Sequence, residues 1–183
     1  KIINSNINKI DNMIYDFLNY SKYERFKILN LSYIKAEELI NETLFGLTLL
    51  INNKNAKIQT NFMLFDENNY IYIDVEKIKL VMKNLIENAL IYSSKKPEIN
   101  IEILEDENSY IFKISDNGLG IPEEERDKIF EKFYRVDKSR PMNFSGSGLG
   151  LSIVKEIVHN YNGEIKLTSE SGLGSTFYVI IPK

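Results

Sequence analysis

Ile3, Ile7, Ile10, Ile14 and Phe17 step by four, three, four and three residues, with Asn, Lys and Asp filling most positions between them. That spacing is a heptad seam, and it predicts a helix too short to stand alone, one that packs against partner helices or, failing that, docks as an ordinary amphipathic helix on its own domain. The pattern fades over residues 20–25, and a short apolar stretch, 26–31, follows. Ser32 can cap a helix running to about Asn52, with Ile34, Leu39, Leu44, Leu47 and Ile51 among its apolar positions. Residues 57–64 and 70–73 read as strands around a polar turn. Asp74 caps a second helix, from Val75 to about Ser93. Residues 98–104 and 110–115 alternate apolar and polar side chains, which predicts a hairpin. The segment 116–147 is rich in glycine and charge, with a short helical run after Pro122. A third helix, about 148–161, is stopped by Gly163, and residues 164–169 and 175–181 form a closing hairpin. Hairpins with helices between them predict an α/β fold: a two-layer sandwich with a mixed sheet, preceded by an N-terminal amphipathic helix.

Composition narrows the chemistry. The 183 residues are 43% hydrophobic and 27% charged, the balance of a folded domain with a short appendage. Cysteine is absent and histidine occurs once, which removes disulfide scaffolds, thiolate metal sites, thiol nucleophiles and multi-histidine metal centres. Lys+Arg 23 against Asp+Glu 26 gives a net charge of −3, so no global basic surface points to nucleic acid. No apolar run reaches the length of a membrane span, and no signal peptide opens the chain, so a cytoplasmic piece of a longer protein is expected.

Three short motifs carry chemistry. On the helix from Val75, Ile78, Met82, Leu85 and Ala89 form the core face, and Asn84 and Asn88 share a second face at its lip. An amide oxygen there suits Mg²⁺, which keeps waters and phosphates as its other ligands, although both residues could equally be polar surface. Asp116-Asn117-Gly118-Leu119-Gly120-Ile121-Pro122 follows directly on a strand. It is either an ordinary turn or a carboxylate able to accept from an exocyclic amine, beside glycines that allow a close approach. Gly146-Ser147-Gly148-Leu149-Gly150-Leu151 opens a helix, where backbone N–H groups can cradle phosphate. No Gly-Lys-Ser/Thr follows and no strand leads into it, so it is not a P-loop.

Taken in order, these motifs resemble the Bergerat ATP-binding fold, and most closely the catalytic domain of sensor histidine kinases. Lys83-Asn84-Leu85-Ile86-Glu87-Asn88-Ala89 is similar to the family's N box, and Asp116, Gly118 and Gly120 to its first glycine box. Ile129-Phe130-Glu131-Lys132-Phe133-Tyr134-Arg135-Val136-Asp137-Lys138-Ser139-Arg140 resembles its F box, and residues 146–151 its second glycine box. Gly172-Leu173-Gly174-Ser175-Thr176-Phe177 and Ile181-Pro182-Lys183 look like the closing hairpin. On this resemblance residues 26–183 are the catalytic ATP-binding domain, and residues 1–25 are the last helix of the dimerisation hairpin.

The resemblance implies ATP and Mg²⁺ as ligands. Asn88 would hold the metal and Asn84 would assist at the phosphates. Asp116 would read the adenine amine, Gly118 and Gly120 would admit the base, and Tyr92 would pack beside it. Phe130 and Phe133 would anchor a lid by their burial. Gly146, Gly148 and Leu149 would hold phosphate through their amides. Ile121, Ser147, Gly150 and Thr176 complete the expected binding set. Arg135, Lys138 and Arg140 are either partners of the γ-phosphate or solvated charge on a loop. In the hydrolytic members of the fold a glutamate occupies the position of Asn84, so water is not the expected nucleophile here.

Two features depart from the family. Its phosphoacceptor histidine has no counterpart, since His159 falls on the outer side of the last helix, and Ile91 stands where a basic residue is usual. The expected function is presentation of MgATP for transfer to a histidine outside this chain and onward to a response-regulator aspartate. Homodimerisation through the N-terminal helix is expected, with no nucleic acid, and membrane attachment only through segments not present. A hydrolytic ATPase of the same fold and a non-catalytic nucleotide-binding scaffold are the alternatives.

Overall fold

The computed structural model describes residues 28–93, 95–136 and 148–183. The heptad helix therefore lies outside the described residues, as do Lys138, Arg140, Gly146 and Ser147.

The chain runs β1 (Ser32–Lys35), α1 (Ala36–Phe45), α2 (Thr48–Lys54), β2 (Lys57–Met63), β3 (Tyr70–Ile73), α3 (Val75–Ile91), β4 (Glu98–Glu105) and β5 (Ser109–Asp116). Two single 3₁₀ turns follow, at Glu123–Glu125 and Lys128–Phe130, and then α4 (Gly150–Asn160), β6 (Glu164–Glu170) and β7 (Gly174–Pro182). A five-stranded sheet in the order β2-β4-β5-β7-β6 forms one layer. Its β2–β4 pair is parallel and the other pairs are antiparallel, so the sheet is mixed. Helices cover one face. Ile99, Ile101 and Ile103 of β4, Phe112 and Ile114 of β5 and Phe177, Val179 and Ile181 of β7 point into the core. They meet Ile78, Met82, Leu85, Ile86 and Ala89 of α3 and Ile153, Val154, Ile157 and Val158 of α4. Strand alternation sends Gln59, Asn100, Ser115, Thr176 and Thr168, one row in register across the five strands, to the opposite face.

Asp74 fixes how the two site-bearing helices meet. Its Oδ1 accepts the Lys77 N–H at 3.2 Å and caps α3, as its place before the apolar pattern predicts. Its own N–H donates to the Tyr161 hydroxyl at 2.7 Å, tying the start of α3 to the end of α4. Oδ2 accepts the Asn30 N–H at 2.9 Å, so the entering chain is held at the same point. Burial raises the Tyr161 hydroxyl pKa, which keeps that phenol neutral at any ordinary pH.

Two elements differ from the sequence pattern. Residues 32–35 are a strand rather than the first turn of a helix. Ile34 pairs with Ile71 in an antiparallel ribbon with β3, and the two isoleucines, with Ile73, are buried against the core. That long-range burial overrides local helical spacing. The expected single helix is also interrupted at Gly46. Thr43 Oγ1 donates back to the Leu39 carbonyl at 2.7 Å, and the chain turns so that Leu47 becomes buried. The strands predicted on either side of the polar turn exist but do not pair with each other: β2 joins β4 and β3 joins β1.

Candidate nucleotide site

The two asparagines sit on the half-buried flank of α3. Asn84 Nδ2 donates to the Leu80 carbonyl at 2.8 Å, which turns its Oδ1 toward the first residue of α4. A Cβ on Gly150 would lie 2.6 Å from that oxygen, so any larger residue there would push the Asn84 amide aside. One turn further along, the Asn88 amide has no protein partner among the described residues, and its oxygen is available to a ligand. Tyr92 ends the helix, 40% exposed, and its carbonyl accepts the Leu119 N–H at 3.0 Å. Ile91 is half-buried.

Asp116 closes β5 on the helix-facing side of the sheet, opposite Ile99 and Ser175. Its carboxylate accepts the Gly118 N–H at 2.8 Å, with the Ser175 backbone close by. Burial nevertheless raises its pKa above the ordinary value, because desolvation outweighs what these backbone groups contribute. The loop that follows is clamped on both sides. A Cβ on Gly118 would lie 3.0 Å from the Tyr92 carbonyl. Gly120 has φ +67°, and a Cβ there would overlap the Glu170 carbonyl. The Gly172 N–H donates to Leu119 at 2.7 Å and the Ile121 N–H to Ser169 Oγ at 2.8 Å. Glycine box and closing hairpin thus form one rigid body under the site.

Thr176 is not part of that body. Its hydroxyl donates to Ser115 Oγ at 3.0 Å on the outer sheet face. Strand parity puts its neighbour Ser175, 7% exposed, beside Asp116 instead. Ser169 and Ser175 are candidate site residues that no motif in the sequence marks; counting alternate positions from the buried Phe177 back to Asp116's partner finds Ser175.

The lid root has two differently held aromatics. Phe130 packs edge to face on Phe177, centroids 6.5 Å apart. Phe133 is 58% exposed, so its ring is not the anchor expected from the sequence. Its backbone is: with φ +64° it donates its N–H to the Gly148 carbonyl at 2.9 Å. Gly148, at φ +74°, could not carry a Cβ, which would lie 2.8 Å from Phe133 Cα. Tyr134 donates to Glu125, and Arg126 donates to the Ser169 carbonyl, so the root is fixed to the glycine box. Arg135 is half-buried. Leu149 is buried and precedes α4, and its own side chain makes no capping hydrogen bond. His159 is exposed near the end of α4, away from these groups, as its helical position predicts. Among the described residues no three His, Asp or Glu side chains converge to hold a metal, and no helix is long and apolar enough to cross a membrane.

A half-buried carboxylate at a strand end, an asparagine flank and a glycine-led helix start are brought together over one sheet of an α/β sandwich. Residues 73–183 match the family described as histidine kinase-, DNA gyrase B-, and HSP90-like ATPase, and the chain belongs to that family, in its sensor-histidine-kinase branch. It is 33% identical to the sensor protein kinase WalK of Staphylococcus haemolyticus over 93% of its length, and 40% identical to the sensor histidine kinase WalK of Bacillus subtilis over 64%. It spans only 28% and 20% of those two relatives. All of the chain superposes on 49% of the histidine kinase ThkA, solved in complex with the response regulator protein TrrA, with 26% identity and a TM-score of 0.74.

Proposed function

We propose that this chain holds MgATP for phosphoryl transfer to a histidine side chain that it does not itself supply. The observation that carries the reading is Asn84. Its amide is committed to the Leu80 carbonyl and to the close approach of Gly150, so no carboxylate stands there to deprotonate water. An incoming imidazole nitrogen attacks the γ-phosphorus in line, the bond to the β,γ-bridging oxygen breaks, and ADP leaves. Such a transfer is catalysed by positioning and charge neutralisation rather than by protein covalent chemistry.

In this reading Asp116 accepts from the adenine amine, and Gly118, Gly120, Ile121 and Tyr92 border the base. Asn88 supplies one oxygen to Mg²⁺, which suits an ion that retains water and phosphate ligands. Asn84 and the backbone of Gly148, Leu149 and Gly150 border the phosphates, with Arg135, Lys138, Arg140, Gly146 and Ser147 added from the lid and the second glycine box. Residues 1–25 provide a dimerisation helix and 26–183 the catalytic domain. A response regulator receives the phosphoryl group on an aspartate, a partner class supported by the ThkA–TrrA complex. The full-length protein is a bacterial membrane sensor of which this piece faces the cytoplasm.

The test is transfer in trans. Purified chain, MgATP and a separately produced phosphoacceptor helix of this kinase class should yield acid-labile, base-stable phosphohistidine, with phosphate release remaining slow. Rapid phosphate release without acceptor labelling would return the hydrolytic alternative; binding with neither reaction would return the scaffold.

A further inference from the structure

Beside the Asp116 carboxylate lies a second buried oxygen, and its polarity is set by a residue outside the reading above. The hydroxyl of Ser175, Asp116's cross-strand partner, is 2.9 Å from Ser169 Oγ. A serine hydroxyl has one proton and two lone pairs. Ser169 gives its proton to the Gly174 carbonyl at 2.9 Å, an atom that can only accept. One of its lone pairs takes the Ile121 N–H at 2.8 Å. The other faces Ser175, which is the donor in that serine pair whenever the Ser169 proton is on the Gly174 carbonyl. The Ser175 proton is thereby directed at Ser169, and what Ser175 has left to offer is acceptor capacity. Arg126 donates to the Ser169 carbonyl from the lid side, which holds this strand end in place.

We infer that Ser169 is a positioning residue for base selection. By taking the Ser175 proton it leaves two acceptors, the Asp116 carboxylate and Ser175 Oγ, at the base end of the pocket. That pair fits the exocyclic amine of adenine and opposes a carbonyl oxygen such as guanine O6, which would meet oxygens with no hydrogen between them. Sites built from committed polar groups discriminate steeply because a mismatch leaves buried groups unpaired. The inference rests on the ATP reading of the site and deepens it.

The test is calorimetric titration of Mg²⁺ with ATP and with GTP into the intact chain, alongside thermal melts. Four forms are compared: wild type, Ser169→Ala, Ser169→Thr and the double variant Ser169→Ala/Ser175→Ala. Ser169→Ala frees the Ser175 proton to turn toward O6, and the ATP/GTP preference should fall by about tenfold, chiefly through gained GTP binding. Ser169→Thr keeps a hydroxyl and should keep the preference. The double variant lacks the released donor and should regain most of it, an outcome that mere loosening of the turn would not produce. An unchanged preference in folded Ser169→Ala overturns the inference, as does a relaxed preference that persists in the double variant. Wild type that binds neither nucleotide overturns the ATP reading itself, and the inference with it.

Discussion

The proposed base end and phosphate end of this site are built differently. At the base end, Asp116 takes the Gly118 N–H, and Gly118 and Gly120 are pressed between the end of α3 and the turn joining β6 to β7. Ile121, Ser169, Gly174 and Ser175 share hydrogen bonds beneath them. At the phosphate end, the Asn88 amide faces the ligand space without a protein partner among the described residues, and Phe133 is exposed beside Gly148. The contrast teaches a division of labour. On the proposed reading, contacts within the protein already hold the base end in place, whereas the phosphate half takes its remaining partners from metal and phosphate. A base end held by internal contacts and a phosphate end with open partners suit the proposed role of holding a nucleotide and giving up its terminal group.

The largest expected effect breaks the base end outright. Gly120→Ala combines a positive φ with overlap on the Glu170 carbonyl, a backbone atom that cannot swing aside. Denaturant unfolding should show a loss of about 3 kcal/mol, and nucleotide binding should go with it. Asp116→Asn separates recognition from stability. Affinity for ATP should fall about a hundredfold, because an amide offers a donor where an acceptor is needed and a charged hydrogen bond is lost. The melting temperature should hold or rise.

The sign follows from the raised Asp116 pKa. Its folded form binds a proton more readily than the unfolded chain does. Ionised Asp116 therefore costs stability above its unfolded value, and the cost grows until pH passes the folded value. By the same shift, ATP affinity should begin to fall on acidification at a higher pH than an ordinary aspartate would give, and this step should be missing in Asp116→Asn.

A third test addresses the other end. Asn88→Ala should weaken the Mg²⁺-dependent part of ATP binding about tenfold, leave adenosine binding intact and barely move the melting temperature, since the side chain makes no hydrogen bond to the described residues. The smallest effect distinguishes the two lid aromatics. Phe130→Ala removes the ring from Phe177 and should cost about 2 kcal/mol. Phe133→Ala should stay within about 0.5 kcal/mol of wild type.

Much of this division was legible in the chain. The core stripe of α3 follows from helical periodicity alone, which also places Asn84 and Asn88 together on its flank. The glycine spacing after Asp116 marks a turn that must pass close to something, and Asp74 announces the start of α3. What could not be read depended on partners distant in sequence. Ile34 looks helical until Ile71 is set beside it. β2 alternates like a hairpin strand, yet its neighbour is β4, in parallel. Thr176 and Ser175 are adjacent hydroxyls, and only the register with Asp116 tells which of them enters the site. Phe133 reads as an anchor because aromatics usually bury, whereas its positive φ spends the residue's fit on a backbone bond to Gly148.

The central claim, a base end ready for adenine whose key acceptor is Asp116, is tested most directly by calorimetric titration of MgATP into wild type and Asp116→Ala. The account predicts Mg²⁺-dependent binding in the micromolar range for wild type and none measurable for the folded variant. Equal binding by the two proteins would contradict it, as would a wild-type chain that binds no ATP at millimolar concentration.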